Sequence, residues 1–112
     1  MKFGYFCNST NWENSKSYRQ LLSEIREIAD YCDNNKWDSI WFTEHHFSHE
    51  GMEICPNPIL LSADIAARTK KIRIGQAATI ITFWNPIRIA EDIALLDNLS
   101  NGRVEAGIGR GI

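Results

Sequence analysis

The sequence predicts a parallel α/β fold. Short apolar runs alternate along the chain with segments of helical periodicity, and this alternation is typical of β–α units that build a parallel sheet. The run Ile40-Trp41-Phe42 is apolar on both faces, as a strand covered by helices requires. Two Asn-Pro pairs, at 57–58 and 85–86, match the N-cap and first residue of a helix.

The first unit has its strand at residues 2–7, an apolar and aromatic run, followed by a polar loop at 8–16. Ser17 and Gln20 have the spacing of a capping box and predict that a helix starts here. The stretch 33–35, Asp-Asn-Asn, ends this helix. Apolar residues recur in it at the spacing of one helix face: Leu21, Leu22, Ile25, Ile28, Ala29 and Cys32.

The second strand is expected at residues 39–43, followed by a polar and aromatic stretch at 44–55 and a helix at 59–68. A third strand starts at 72–75 and extends toward 77–78, and residues 79–84 are interpreted as a loop or strand end. The third helix follows the second Asn-Pro pair, contains Ile89, Ala90, Ile93 and Ala94, and ends at 100–102. A fourth strand is expected at 104–108.

Two architectures use such units. A doubly wound sheet usually carries a glycine-rich phosphate loop after its first strand, and the loop at 8–12 has no glycine. A (β/α)8 barrel needs eight strands and about 250 residues. The 112 residues supply about half of one. We therefore expect residues 1–112 to form a single, incomplete barrel domain, its N-terminal half. Either partner chains complete the barrel or the sequence is truncated, and we favour truncation.

Composition limits the function classes. The formal net charge of -2, with 44% hydrophobic and 23% charged residues, gives no basic surface for nucleic acid or membranes. Cys7, Cys32 and Cys55 are odd in number and widely spaced, which favours reduced thiols over a disulfide framework. The N-terminus has no secretory-type apolar stretch. We expect a soluble cytoplasmic protein.

Active groups of parallel α/β folds gather at the carboxyl ends of strands. At the end of the second strand lies His45. It is either a general acid or base or a histidine packed and hydrogen-bonded in a loop. A zinc site with His49 and Cys55 is disfavoured, because no second coherent ligand pair appears.

Residues 75–79 have small side chains that either admit a planar ligand or pack closely. The glycine-rich run 102–111 either binds a phosphate or forms a tight turn with a surface arginine. Cys7 is expected to be a buried structural cysteine.

Taken together, the motifs resemble those of the luciferase-like, flavin-dependent monooxygenases, and most closely the luciferase α-type chain. The resemblance covers nearly the whole chain and rests on the order and spacing of the motifs. They are MKFG at 1–4, WFTEHHF at 41–47, NP at 57–58, GQAA at 75–78, NPIR at 85–88 with ED at 91–92 and LLD at 95–97, GR at 102–103 and GIGRG at 107–111.

The resemblance implies a (β/α)8 barrel that binds reduced flavin, FMN in some branches and F420 in others, at the carboxyl ends of its strands. It implies oxidation of an organic substrate, such as a long-chain aldehyde, with O2. His45 would handle protons, Ala77 and Ala78 would contact the flavin through a non-proline cis peptide, and Arg110 would help to hold its phosphate. Glu44 is expected to be structural and hydrogen-bonded inside the barrel mouth.

One departure from the family bears on activity. Gly109 stands where luciferase α-type chains carry a reactive cysteine. A light emitter and a non-luminescent relative therefore both stay open. Two further alternatives do not depend on this position: an F420-dependent oxidoreductase of the same superfamily, and a flavin-binding or partner subunit without activity. In either case the resemblance implies a homodimer or heterodimer.

Overall fold

The computed structural model describes residues 1–51 and 54–111. It confirms a parallel α/β fold, with a four-stranded sheet in the order β1-β2-β3-β5 and a separate two-stranded ladder of β4 and β6. The strands are β1 (Gly4–Cys7), β2 (Ser39–Phe42), β3 (Arg73–Gln76), β4 (Thr79–Ile80), β5 (Val104–Glu105) and β6 (Ile108–Gly109), and the helices are α1 (Tyr18–Asn34), α2 (Pro58–Arg68) and α3 (Pro86–Leu99).

The predicted helix starts are confirmed. The side chain of Ser17 accepts a hydrogen bond from the backbone N–H of Gln20 at the start of α1. Asn57 does the same for Leu60 in α2, with Pro58 in the first turn. Asn85 caps α3, where a proline again follows the cap. Each cap satisfies backbone donors that have no partner within the helix, which fixes where the helix leaves the loop.

One face of the sheet packs on the helices. Ile40, Phe42 and Ile74 are fully buried there, in one cluster with residues of α1 and α2. Gln76 lies on the same face and donates from Nε2 to the hydroxyl of Ser62 in α2 at 2.9 Å. Burial of these apolar side chains is the main contribution to the stability of the fold.

The opposite face lacks a helix layer in the described residues. Phe6, Trp41 and Gly75 share this face in register, and Phe6 keeps 56% of its surface exposed. The indole of Trp41 lies flat over Gly75: a Cβ atom at Gly75 would be 2.2 Å from its ring. Its Nε1 donates to the Ser39 hydroxyl at 2.8 Å.

The fourth strand was predicted as one run at 104–108, and this is wrong. Residues 104–105 pair with β3, whereas residues 108–109 pair with β4. The neighbouring strand is interrupted at the same level, because β3 ends at Gln76 and the chain resumes as β4 at Thr79. A strand that pairs with both β3 and β4 therefore has to be interrupted at the same level. Gly107 lies at this break, and its carbonyl accepts the N–H of Thr79 at 2.9 Å.

Arg103, at the start of the glycine-rich run and before β5, is buried. Its guanidinium donates to the carbonyls of Ser100, Ile72, Ala66 and Thr69 and to the hydroxyl of Thr69, at 2.7–3.2 Å. It therefore ties the end of α2 and the start of β3 to the turn before β5. All three cysteines are buried and free, as expected from their spacing.

Candidate active site

A cavity of about 450 Å³ opens at the carboxyl ends of the parallel strands. Its volume falls in the range of roughly 300–1,000 Å³ typical of ligand pockets. Three of the four residues predicted for the site, His45, Ala77 and Ala78, lie together on its wall. The complete lining is Glu44, His45, His46, Ala77, Ala78, Ile80, Phe83 and Gly111.

His45 is held by its backbone. Its N–H donates to the carbonyl of Cys55 at 2.9 Å, in an isolated antiparallel bridge. This bridge ties the residue after β2 to the segment that leads into α2, and leaves the imidazole partly buried at the cavity. Burial raises the pKa of the Cys55 thiol to about 12, and nearby Cys7 and Glu44 add to the effect. Cys55 is thus a protonated, structural neighbour of the site.

Glu44 is buried beside His45. Its carboxylate accepts hydrogen bonds from two groups and lies within hydrogen-bond distance of a third. The backbone N–H of Ile80 lies 2.7 Å from Oε2. The indole Nε1 of Trp84 lies 3.0 Å from Oε1 and 3.2 Å from Oε2. Nε2 of His46 lies 2.9 Å from Oε1. The prediction that Glu44 is hydrogen-bonded inside the mouth of the barrel is confirmed.

The peptide bond between Ala77 and Ala78 is cis, as the resemblance implies. The Ala77 N–H donates to the carbonyl of Phe42 at 2.7 Å, which keeps this bond next to the end of β2. The strand on the other side comes very close: a Cβ atom at Gly107 would be 1.9 Å from the carbonyl oxygen of Gln76. The prediction that the small residues of these segments allow the backbone to pack closely is therefore confirmed.

Gly109, the position of the reactive cysteine in luciferase α-type chains, faces the same segment. A Cβ atom there would lie 3.2 Å from the Cβ of Ala78. This is tighter than ordinary van der Waals contact, so a larger residue at 109 would press directly on the alanine pair. Glycine at this position leaves Ala78 its present place on the cavity wall.

Arg110, predicted to hold a phosphate, is exposed. Its carbonyl accepts a hydrogen bond from the Thr82 hydroxyl at 3.1 Å, which attaches the end of the described chain to the wall of the cavity. Its neighbour Gly111 lines the cavity, whereas Arg110 is not among the described lining residues. A phosphate contact of Arg110 stays a prediction.

The sequence did not reveal the segment 79–84 as part of the site. Ile80 and Phe83 line the cavity, and the ring of Phe83 meets His46 edge-on at 5.0 Å between centroids. One signal in the sequence could have indicated this segment. A buried acidic residue after a strand needs hydrogen-bond donors, and Trp84, six residues after Ala78, carries an indole N–H group.

Two further searches cover residues 1–51 and 54–111. In these ranges no three His, Cys, Asp or Glu side chains are grouped so as to hold a metal ion. Within the same ranges, every helix is too short or too polar to cross a membrane.

A cavity at the carboxyl ends of parallel strands, with helices on the outer face of the sheet, is the arrangement found in (β/α)8-barrel enzymes. The chain belongs to the luciferase-like monooxygenase family, whose model matches residues 1–112. This confirms the resemblance inferred from the motifs.

Three curated relatives show the range of the family. The oxygenase component of the flavin-dependent trigonelline monooxygenase of Acinetobacter baylyi is 36% identical, over 99% of this chain and 30% of its own length. The alkanal monooxygenase alpha chain of the Kryptophanaron alfredi symbiont is 32% identical, over 100% of this chain and 30% of its own. The alkanal monooxygenase beta chain of Photorhabdus luminescens is 38% identical, over 96% of this chain and 32% of its own length. The chain thus spans about a third of the length of these relatives.

Two solved structures share the fold over the whole chain. Monooxygenase RslO1 from Streptomyces bottropensis matches with a TM-score of 0.93 and 33% identity, over 100% of this chain and 34% of its own. The second structure is the oxygenating constituent of 3,6-diketocamphane monooxygenase from Pseudomonas putida in complex with FMN. It matches with a TM-score of 0.91 and 29% identity, over 100% of this chain and 30% of its own.

Proposed function

We propose that this chain forms part of the active site of a reduced-flavin-dependent monooxygenase that uses FMNH2 and O2 to oxidise an organic substrate, such as a long-chain aldehyde. The observation that carries the proposal is the cavity that His45 shares with Ala77 and Ala78. Family membership and the FMN complex of a relative at 29% identity support it.

The lining of the cavity fits a flavin. The small side chains of Ala77 and Ala78, together with Gly111, leave room for a flat ring system, and Phe83 adds an aromatic wall. When bound, reduced FMN supplies the electrons that activate O2. Ala77 and Ala78 would contact its ring, and Arg110 would pair with its phosphate as an exposed guanidinium.

His45 would handle the proton of the reaction, because an imidazole exchanges protons near neutral pH and this one lies at the cavity. The apolar lining residues Ile80 and Phe83 would limit the access of water to the site. The role of the protein in this proposal is thus to bind the flavin, to hold a proton carrier beside it and to exclude solvent.

The test is an anaerobic titration of the protein at its natural length with reduced FMN and with reduced F420, followed by admission of O2. We expect tight binding of reduced FMN and a slowly decaying flavin absorbance after O2. His45→Ala should lower the rate of substrate oxidation by roughly 10²–10⁴-fold, with less effect on flavin affinity. The exposed His49, 90% accessible, offers a matched control: His49→Ala should leave the rate unchanged.

Other outcomes favour the alternatives. Tight binding of reduced F420 instead of FMN, with no reaction with O2, would indicate an F420-dependent oxidoreductase. Binding of FMN without any turnover, and without an effect of His45→Ala, would indicate a flavin-binding or partner subunit. Failure to bind either cofactor would contradict the proposal.

We also propose that the protein forms a homodimer or a heterodimer. Relatives named as alpha and beta chains of alkanal monooxygenase support a subunit pair. On the outer surface, Leu60 of α2 and Leu95 and Leu99 of α3 keep 68%, 60% and 58% of their surface exposed around a shared groove. An apolar groove of this kind is typical of an interaction surface.

A further inference from the structure

We propose that Glu44 is a positioning residue that fixes the proton of His46 on Nε2, so that Nδ1 is the basic nitrogen of this ring in the cavity. The proposal rests on the proposed function only where it concerns catalysis. It would give the site a second imidazole of defined proton arrangement beside His45, and it assigns a role to a carboxylate that is otherwise a structural hydrogen-bond acceptor.

The hydrogen bonds of Glu44 define its state. Oε2 accepts the Ile80 N–H, and the Trp84 indole N–H is shared between the two oxygens. These groups can only donate, so both oxygens already act as acceptors. Because Glu44 is 3% exposed, a carboxylate in this place needs all of its donors to offset the loss of solvent. With N–H donors directed at both oxygens, Oε1 acts as an acceptor toward His46 as well.

The tautomer of His46 follows from this. Because Oε1 is an acceptor in this contact, Nε2 of His46, 2.9 Å away, has to carry the hydrogen. When the ring is neutral, Nδ1 then holds the lone pair. The choice of tautomer is thus made by Glu44.

A second contact holds that orientation. The ring of Phe83 meets His46 edge-on, with an interplanar angle of 85°. Phe83 follows the Ile80 backbone that Glu44 also binds, and Trp84 follows Phe83. One carboxylate therefore fixes both His46 and the wall against which it packs. The side chain of His46 keeps 26% of its surface accessible, enough for a ligand in the cavity to reach the ring.

Glu44→Gln is the sharpest variant, because it keeps the size of the side chain. The amide oxygen would remain with the Ile80 and Trp84 donors, and the NH2 group would then point to His46. An NH2 group donates, so Nε2 would have to become the acceptor and the hydrogen would move to Nδ1. The substitution is expected to reverse the tautomer of His46 without removing the ring from its place.

The measurement is ¹⁵N and ¹³C NMR of the histidine rings in the protein at its natural length, without flavin, at a pH near 8.5 where ordinary imidazoles are neutral. We expect the Nε2–H tautomer of His46 in the wild type and Nδ1–H in Glu44→Gln. His46→Asn assigns the signals. The matched control is Glu50→Gln, an exposed carboxylate beside His49, which should leave the tautomer of His46 unchanged.

An Nδ1–H tautomer in the wild type would overturn the proposal, and this result needs no variant to fold. A retained Nε2–H tautomer in folded Glu44→Gln would overturn it as well. Catalysis gives the second readout: Glu44→Gln should lower kcat roughly 10-fold or more while the Kd for reduced FMN changes less than about 3-fold, and Glu50→Gln should change neither. Equal changes in both would point to a purely structural role.

The two proposals fail separately. If the tautomers behave as expected but reduced FMN does not bind, the proposed function is wrong and the role of Glu44 in positioning His46 stands. If FMN binds and the substrate is oxidised but the tautomer does not respond, the proposed function stands and this inference is wrong.

Discussion

Asp33 at the end of α1 joins the helix to the strand that follows α2. Its carboxylate accepts the backbone N–H groups of Lys70, Lys71 and Ile72 at 2.7–3.0 Å. Burial by itself would raise the pKa of Asp33, but the hydrogen bonds from these three amides and the charge of nearby Arg103 outweigh it and lower the pKa. The protonated acid would lose most of this interaction.

The sign of the pH dependence follows. Because the pKa of Asp33 is lower in the folded protein, its contribution to the free energy of unfolding is complete above the unfolded value of about 3.9 and is lost as the pH falls through the folded value. Asp33→Asn should lower the free energy of unfolding at pH 7 by about 1–3 kcal/mol. It should also flatten the acid limb of a plot of stability against pH.

Urea unfolding of the protein at its natural length, at pH values from 7 down to 3, measures both effects. Asp38→Asn is not a suitable control, since Asp38 accepts the N–H of Phe3. Asp97→Asn offers a better one, because Asp97 is an exposed residue of α3. An Asp33→Asn variant with the acid sensitivity of the wild type would contradict the assignment.

Arg103 and Glu44 show why single buried polar residues were hard to place from sequence. Burial of either charge is unfavourable unless several partners converge on it. The partners of Arg103 come from the end of α2, the residue before β3 and the turn after α3. Apart from His46, those of Glu44 come from the segment 79–84. The contacts with distant segments leave no local pattern around either residue, so the sequence alone supports only the expectation that Glu44 is hydrogen-bonded.

The helices were predictable because their signals are local. Caps, prolines and the spacing of apolar residues all lie within the segment that forms the helix. The fourth strand was mispredicted because its pairing depends on a distant event, the interruption of β3 at the Ala77-Ala78 bond. The role of Gly107 in that interruption depends on contact with Gln76, and the sequence near Gly107 does not indicate it.

Gly107 allows the last two strands to approach the cavity wall. A methyl group there would overlap the carbonyl of Gln76 at 1.9 Å, so the backbone would have to move. Gly107→Ala should lower the free energy of unfolding by about 1–3 kcal/mol, the usual cost of overpacking, and should weaken binding of reduced FMN. Urea unfolding and flavin titration measure these effects.

A matched control for Gly107 lies next to it. Ala106 is exposed, and Ala106→Ser adds one atom to the same turn without facing the Gln76 carbonyl. We expect a change in stability within about 0.5 kcal/mol for this variant. Similar losses in the two variants would mean that the turn, and not the close approach at 107, is sensitive.

The whole sheet has one face that no helix covers in the described residues. We expect this face to determine how the chain of 112 residues behaves alone. Phe6 keeps 56% of its surface exposed on this face, and Trp41 adds a partly buried indole. The outer strands β1 and β5 also have unpaired edges within the four-stranded sheet. Apolar faces and open edges of this kind drive association.

We therefore expect the 112-residue chain, expressed by itself, to form dimers or larger species. Phe6→Lys should shift it toward the monomer, because a charge on the open face would have to be desolvated on association. Phe47, which is 99% exposed in the loop after β2, provides the control: Phe47→Lys changes the charge equally but lies off the sheet face, and should leave the mass unchanged. Light scattering at several concentrations measures the mass.

A wild-type monomer at high concentration would show that the open face is not sufficient for association. Equal effects of the two lysine substitutions would show that net charge, and not the sheet face, controls association.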